Sequence, residues 1–463
     1  MHPLQSLDLA HVWHPFTQHD EWEADGPPLI VEAAEGCELI DVNGRRYLDG
    51  VASLWTNVHG HRHPTIDAAV RAQLDRVAHS TLLGLGGTPS TVLAARLARL
   101  LADRLPGAGL TRMFYSDSGS SAVEVALKIA FQYQQQLGQT ERTRFAALSE
   151  SYHGDTLGSV SVGGIELFHS IYRPLIFDTV RIPAPETPAP AQEAACLARA
   201  EALIAEHGAQ LAGLIVEPLV QGAAGMRMHS PAFLATLLRM AREAGLVIIA
   251  DEVATGFGRT GTMFAMEQVD VQPDLLALAK GLSGGYLPLA VTAASERIFD
   301  AFRGPYTRYR TFFHGHTYTG NALACAAALG SLDVFEQEDT LAGLPEKITA
   351  LRDALAALRS PHVGSTRQKG LMAGVVLQHD RPAEERIGHR VCMAAREHGV
   401  IVRPLGDVVV VMPPLAMTPA QIRAVVAAVG AAIDETLYSS SSRFSENGQA
   451  TSVASSGSGH CAP

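Results

Sequence analysis

Paired cysteines, excess positive charge and long apolar runs are what this chain lacks. Its five cysteines, Cys37, Cys196, Cys325, Cys392 and Cys461, stand far apart with no C-x-x-C spacing. That excludes a disulfide framework or a zinc ribbon and fits free thiols in a reducing compartment. Charged residues are only 18% of the 463, and 36 Lys+Arg against 47 Asp+Glu leave a net charge of −11. With no global basic field, nucleic acid and anionic membrane are not expected partners. The apolar runs, such as 245–250 and 408–412, are strand-length, well short of the roughly 20 residues of a membrane span. Residues 1–8 lack a charged segment leading into an apolar one and a small-residue cleavage site, so the cytoplasm is the expected location. What is there is 47% hydrophobic residues over 463 positions, ample for a sizeable core.

From Arg71 to about Leu437, helical patterns alternate with short apolar runs and no long linker intervenes, which reads as an α/β fold. The stretch from Cys37 to Asn43-Gly44 predicts a strand-turn-strand. Arg112–Tyr115, Phe145–Leu148, Leu211–Val216, Val247–Ala250 and Leu275–Leu278 read as buried parallel strands with functional C-terminal ends, and 192–207 as a surface crossover helix. The expected organisation is an N-terminal segment, 1–57, joining a smaller domain at 336–438, around a large domain at 58–335. After Tyr438 the composition collapses to serine and glycine, so 439–463 is expected to be a disordered tail. No internal repeat is visible.

The strongest chemical signal is Val247-Ile-Ile-Ala-Asp251-Glu252, an apolar strand ending in two carboxylates and opening into Gly256-Phe-Gly258-Arg-Thr-Gly261. A carboxylate there could ligate a metal, take a proton or pair with a protonated ring nitrogen. The next strand decides between them, because Leu275-Leu-Ala-Leu-Ala-Lys280 ends in a lysine, whose desolvation favours a neutral, nucleophilic amine. A strand-end Asp and a strand-end Lys without a metal shell together describe pyridoxal 5′-phosphate. Its phosphate would sit where Ser116-Asp-Ser-Gly119-Ser120 opens a helix, although a plain helix cap explains the same residues. Tyr152 offers a ring to stack on a flat cofactor. His59-Gly-His-Arg-His63 lacks carboxylate or thiolate companions, so turn and packing roles are expected rather than metal. Trp13 and Trp55 taken singly read as core aromatics, Arg403 as a surface ion pair, and Glu217 before Pro218 as a supporting acid.

These motifs carry a resemblance that spacing alone does not. Ser116-Asp-Ser-Gly-Ser120, Tyr152-His-Gly154, Glu217-Pro218, Asp251 to Gly261, Lys280-Gly281 and His314-Gly-His-Thr-Tyr-Thr-Gly-Asn321 resemble the class III aminotransferases of pyridoxal-phosphate fold type I. Trp13-His-Pro-Phe-Thr-Gln18, Leu54-Trp-Thr-Asn-Val-His-Gly-His61, Tyr152-His-Gly-Asp-Thr156, Val220-Gln-Gly222 and Val402-Arg-Pro-Leu-Gly406 are similar to the diaminopelargonic acid synthases within that class. The resemblance implies a large domain with a mostly parallel sheet, a smaller α+β domain and a homodimer sharing its active sites. It implies that Lys280 holds the cofactor and moves protons, that Asp251 pairs with the ring nitrogen, and that Tyr152 stacks. Gly119 and Ser120, with Thr317 from the partner subunit, would hold the phosphate. Trp55, Tyr152, Lys280, Gly315, Arg403 and Phe16 would meet substrate, 8-amino-7-oxononanoate. Relatives that use S-adenosylmethionine carry a tyrosine where this chain has Phe16, so the implied donor is S-adenosylmethionine or L-lysine. Another ω-amine or diamine aminotransferase is the alternative activity.

Overall fold

The computed structural model describes the backbone of residues 1–445 and the side chains through residue 438. Seven strands, β1 (Leu110–Ser116), β2 (Arg144–Leu148), β3 (Thr179–Ile182), β4 (Leu211–Val216), β5 (Val247–Asp251), β6 (Leu275–Leu278) and β7 (Ala290–Ser295), form one sheet in the order β1-β7-β6-β5-β4-β2-β3. β4, β5 and β6 are buried at every position, as expected of strands covered on both faces. Alternation divides them cleanly. Val247 and Ile249 pack with Val123, Ala126 and Ile129 of the helix Gly119–Gln136, whereas Ile248 and Ala250 enter the core on the other face. Each such side chain removed from water contributes about 1.5–3 kcal/mol.

The parallel reading holds from β6 through β5, β4 and β2 to β3. Between β6 and β1 lies β7, which the sequence did not mark and which runs antiparallel to both. β1 still points the same way as the parallel set, so the C-terminal ends of β1, β2, β4, β5 and β6 share one edge. Ligand sites lie at such edges because the loops that follow are free to vary while the strand ends are held rigidly.

The N-terminal strands Val31–Glu35, Glu38–Asp41 and Arg46–Asp49 form the expected antiparallel meander, and Arg46–Asp49 pairs in parallel with Val400–Ile401 near the other end of the chain. Val363–Lys369, Met372–Leu377, Val408–Val411 and Arg403–Leu405 make a separate antiparallel sheet. The last helix, Pro419–Ser445, continues past Tyr438, where composition places the end of order, and 446–463 lie outside the described residues.

One turn is built against local preference. Ala52, Ser53, Leu54 and Trp55 have φ of 50°, 46°, 67° and 70°, a left-handed turn containing no glycine. That conformation costs roughly 1–2 kcal/mol per residue. The buried Asp49 carboxylate offsets it by accepting the Ser53 N–H at 2.9 Å and the Ser53 hydroxyl at 2.7 Å. Fully buried Arg259 clamps the far side, donating to the carbonyls of Trp55 at 3.4 Å, Asn57 at 2.7 Å and Pro413 at 2.7 Å. The result is that consecutive residues serve different spaces: Trp55 lines one cavity and Leu54 another.

Candidate active site

The loops leaving the shared strand edge enclose a cavity of about 720 Å³. Trp55, Gly119, Ser120, Tyr152, Asp251 and Lys280 line it together, six of the residues singled out from sequence. Asp251 and Lys280 arrive from adjacent strands, with Asp251 in register with Ala277, three residues before the lysine.

Lys280 has φ +31°, an unusual value for a side-chain-bearing residue and of a kind that collects at functional sites. Its ammonium lies 5.3 Å from the centre of the Trp55 ring. Burial lowers its pKa below the ordinary lysine value, against the opposing pull of the Asp251 and Glu217 charges. It is therefore biased toward the neutral amine that a nucleophile and proton acceptor needs.

The two carboxylates ending β5 divide their work. Asp251 faces the cavity, with Oδ2 2.7 Å from His153 Nδ1 and Oδ1 accepting the Val253 N–H at 3.0 Å. Glu252 turns away and accepts from the backbone of Ala265 and Met266 and from the Thr255 hydroxyl. His153 escaped the sequence reading, which took the ring of Tyr152 as the signal in that stretch; the neighbouring imidazole only becomes visible once strand order sets it against Asp251.

Glu217 also carries more than a supporting role. Its two oxygens accept the Tyr152 N–H at 2.9 Å and the Gly222 N–H at 3.1 Å, joining the loops after β2 and β4. A Cβ on Gly222 would meet the Trp55 ring at 3.2 Å, so this carboxyl fixes the backing of both aromatic walls. Burial, opposed by those two donors, pushes the Glu217 pKa up to about 8, and burial pushes Glu252 to about 7. Both carboxyls bind protons more tightly folded than unfolded. Each thus contributes stability that is complete below pH 4.5 and lost as the pH rises, through about 8 for Glu217 and about 7 for Glu252. The melting temperature of the cofactor-free protein is expected to fall from about pH 5 to about pH 8, and Glu217→Gln is expected to flatten the upper part of that fall.

At the opposite wall the helix Gly119–Gln136 begins. The Ser118 hydroxyl caps it by accepting the Ser121 N–H at 3.2 Å, which leaves the N–H groups of Gly119 and Ser120 without an intrahelical acceptor. Space there is tight. A Cβ on Gly119 would come 2.5 Å from Val253, and one on Gly154, at φ +114°, would strike the Ser120 hydroxyl at 2.3 Å. The Ser120 hydroxyl is also 2.9 Å from that of Thr156. Free N–H groups at a helix start and clustered hydroxyls suit a phosphate. A phosphate cradle, one lysine amine, a held carboxylate and a stacking phenol are the set that pyridoxal 5′-phosphate requires, and they fit it here.

The remaining sequence candidates lie elsewhere. Phe16 and Arg403 line an adjacent cavity of about 370 Å³, with the guanidinium 6.0 Å from the Phe16 ring centre. An aromatic path links the two spaces, Phe16 to Phe168 at 5.4 Å and Phe168 to Tyr152 at 6.3 Å. Arg403 is thus no surface ion pair. Gly315 and Thr317 are exposed in the loop before the helix Ala322–Gln337 and line neither cavity; the Thr317 carbonyl accepts from His79 Nε2 at 3.0 Å. Trp13, read singly as a core aromatic, is 88% exposed, whereas Trp55 is buried. His59, His61 and His63 point to separate partners, Ser331, Asp49 and Glu338.

Comparison with known proteins extends this picture over most of the chain. Residues 21–433 match the family model described as Aminotransferase class-III. The adenosylmethionine-8-amino-7-oxononanoate aminotransferase of Nitratidesulfovibrio vulgaris is 58% identical, over 93% of this chain and 81% of its own. The crystal structure of the enzyme of that name from Methanocaldococcus jannaschii superposes with a TM-score of 0.88 at 39% identity, covering 93% of this chain and 98% of its own. An amine transaminase from an uncultivated Pseudomonas species, solved with pyridoxal phosphate bound, superposes at 0.86 with 34% identity over 92% and 99% of the two chains. With Lys280 and Asp251 brought together on neighbouring strand ends, the chain belongs to the class III aminotransferases and is a pyridoxal-phosphate-dependent enzyme.

Proposed function

We propose that this enzyme aminates 8-amino-7-oxononanoate to 7,8-diaminononanoate in biotin synthesis, with S-adenosylmethionine as amino donor. The observation that carries the reading is the name borne by a relative 58% identical across 93% of this chain. The site's chemistry supports it. The acceptor is a long apolar chain ending in a carboxylate, and here an aromatic-walled cavity adjoins a second one that contains Arg403. A guanidinium presents a fork that matches a carboxylate.

When bound, pyridoxal phosphate supplies a carbonyl to capture the donor's nitrogen and a ring that draws off the electron pair left at the donor carbon. The chain's own residues do the rest. Lys280 would hold the cofactor, take the proton from the donor carbon, and later return a proton to the acceptor carbon. Asp251, held by His153 and the Val253 N–H, would pair with the ring nitrogen. Tyr152 covers the ring, while Gly119 and Ser120 take the phosphate. The donor becomes a carbonyl compound and the acceptor ketone an amine, so no external oxidant or reductant enters.

Thr317 and Gly315 lie outside the cavity of their own protomer, and we assign them to the neighbouring site of a cytoplasmic homodimer, Thr317 to the phosphate and Gly315 to the substrate. A strictly monomeric active enzyme in sedimentation would overturn that assignment. L-Lysine is the second donor reading, favoured by Phe16, which lacks the hydroxyl of a tyrosine.

Mixing the yellow holoenzyme separately with S-adenosylmethionine and with L-lysine, then adding 8-amino-7-oxononanoate, tests both readings. Bleaching by S-adenosylmethionine and appearance of the diamine in the mass spectrum is the expected result. Bleaching by lysine alone would replace the donor. Bleaching by neither, with no diamine formed, would overturn the function.

A further inference from the structure

The cavity beside the cofactor site holds more positive charge than the fold itself uses. Arg386, His389, Arg396 and Arg403 all line it, among Phe16, Trp22 and Leu54. Two of these four are accounted for. His389 and Arg386 both reach the Asp25 carboxylate, at 2.7 Å and 3.7 Å.

Arg396 and Arg403 are different. Arg403 rests over the Phe16 ring, and neither guanidinium makes an ion pair or a side-chain hydrogen bond among the described residues. Arg396 sits in the last turn of the helix Ile387–Glu397, and its contact with Arg45 is through its own carbonyl, which accepts at 2.8 Å. The groups around it are Cys392, Tyr47 and the already engaged Asp25. Burial lowers the pKa of both arginines, which expresses the cost of keeping these charges out of water. Each guanidinium has five N–H donors, and both side chains are only partly buried, so those donors stay open to the cavity. Asp25 acts on Arg396 only at a distance and is engaged by His389 and Arg386, so an anionic ligand in the cavity would meet guanidinium N–H groups that the fold leaves free.

We propose that Arg396 is a second carboxylate-binding residue of the substrate site, acting beside Arg403 on the carboxylate end of the acceptor; this rests on the functional reading above. An apolar chain entering past Trp55 and Tyr152 brings its carboxylate out of water, and two cations compensate that loss better than one. The pair also sets specificity. A chain of equal length ending in a neutral amide leaves both guanidiniums unmet and is rejected.

The test uses the holoenzyme, steady-state kinetics with 8-amino-7-oxononanoate, and nonanoate and nonanamide as competitive inhibitors. Arg396→Gln is expected to raise KM for the acceptor about tenfold with kcat within about twofold, and to weaken inhibition by nonanoate but not by nonanamide. Arg396→Lys, which keeps the charge and loses the fork, is expected to lose about threefold. Unchanged KM and nonanoate inhibition in both variants would overturn the proposal. So would equal weakening of nonanoate and nonanamide, which marks a general disturbance of the cavity. A wild-type enzyme that does not turn over 8-amino-7-oxononanoate would instead overturn the functional reading on which the proposal rests.

Discussion

Lys280→Ala is expected to lower transamination by at least about 10³-fold while leaving the melting temperature of the folded protein near that of the wild type. The size of the loss follows from the cavity's lining: Lys280 is the one lysine in it, so no neighbour can supply a second amine. Two tasks fall on that amine, holding the cofactor and moving a proton at carbon, and proton transfer by a positioned group alone is worth about 10²–10⁴. The fold should survive because the ammonium meets a ring face and more distant charges and, among the described residues, makes no hydrogen bond whose partner would be stranded. Relief of the φ +31° backbone is not expected, since alanine carries the same Cβ. Two readouts separate chemistry from collapse. Borohydride should fix the cofactor covalently to the wild type and not to the variant, and a small primary amine in the buffer should restore part of the lost rate. Turnover above about a tenth of the wild type would refute the assignment of Lys280.

The parts of this fold legible in sequence are those where local pattern and tertiary role agree. β4, β5 and β6 are continuous apolar runs because both of their faces are covered, and their ends could be located within a residue. β7 was invisible: three of the six residues of Ala290–Ser295 are alanine, which dilutes the strand preference of Val291 and Thr292, and the strand is held by antiparallel bonds to β6 and β1 on both sides. β3, at the sheet edge, alternates half-buried Thr179 and Arg181 with buried Val180 and Ile182 and so presents no continuous apolar run. The left-handed turn at Ala52–Trp55 could not be foreseen either, since without glycine nothing local asks for positive φ; Asp49 and Arg259 impose it, the latter from more than 200 positions away. Within the site, strand-end chemistry marked Asp251 and Lys280, whereas Phe16, Arg403, Gly315 and Thr317 rested on family resemblance. Arg396 was not seen, because an arginine near a helix end is ordinary until the cavity shows that it has no partner.

Asp251→Asn is expected to cost on the order of 10²-fold or more in turnover, and here the structure distinguishes the charge from the shape. Asparagine keeps the size, and its carbonyl oxygen can still accept either the Val253 N–H or a bond from His153. What disappears is the negative charge that the proposed pairing with the cofactor's ring nitrogen requires. Without it the ring is a poorer acceptor for the electron pair released when Lys280 removes a proton, so the proton-transfer step should slow far more than substrate binding weakens. A fall in kcat with KM changed by less than about threefold is the result that fits this role. His153→Ala should act in the same direction but more weakly, about tenfold, because Asp251 retains its charge and its bond to the Val253 N–H while losing the ring that orients it. If Asp251→Asn and His153→Ala reduced turnover equally, orientation rather than charge would be the carboxylate's contribution. A substrate isotope effect on turnover, using donor deuterated at the reacting carbon, decides the remaining point: it should grow in Asp251→Asn, because loss of the charge makes proton removal from carbon the slowest step.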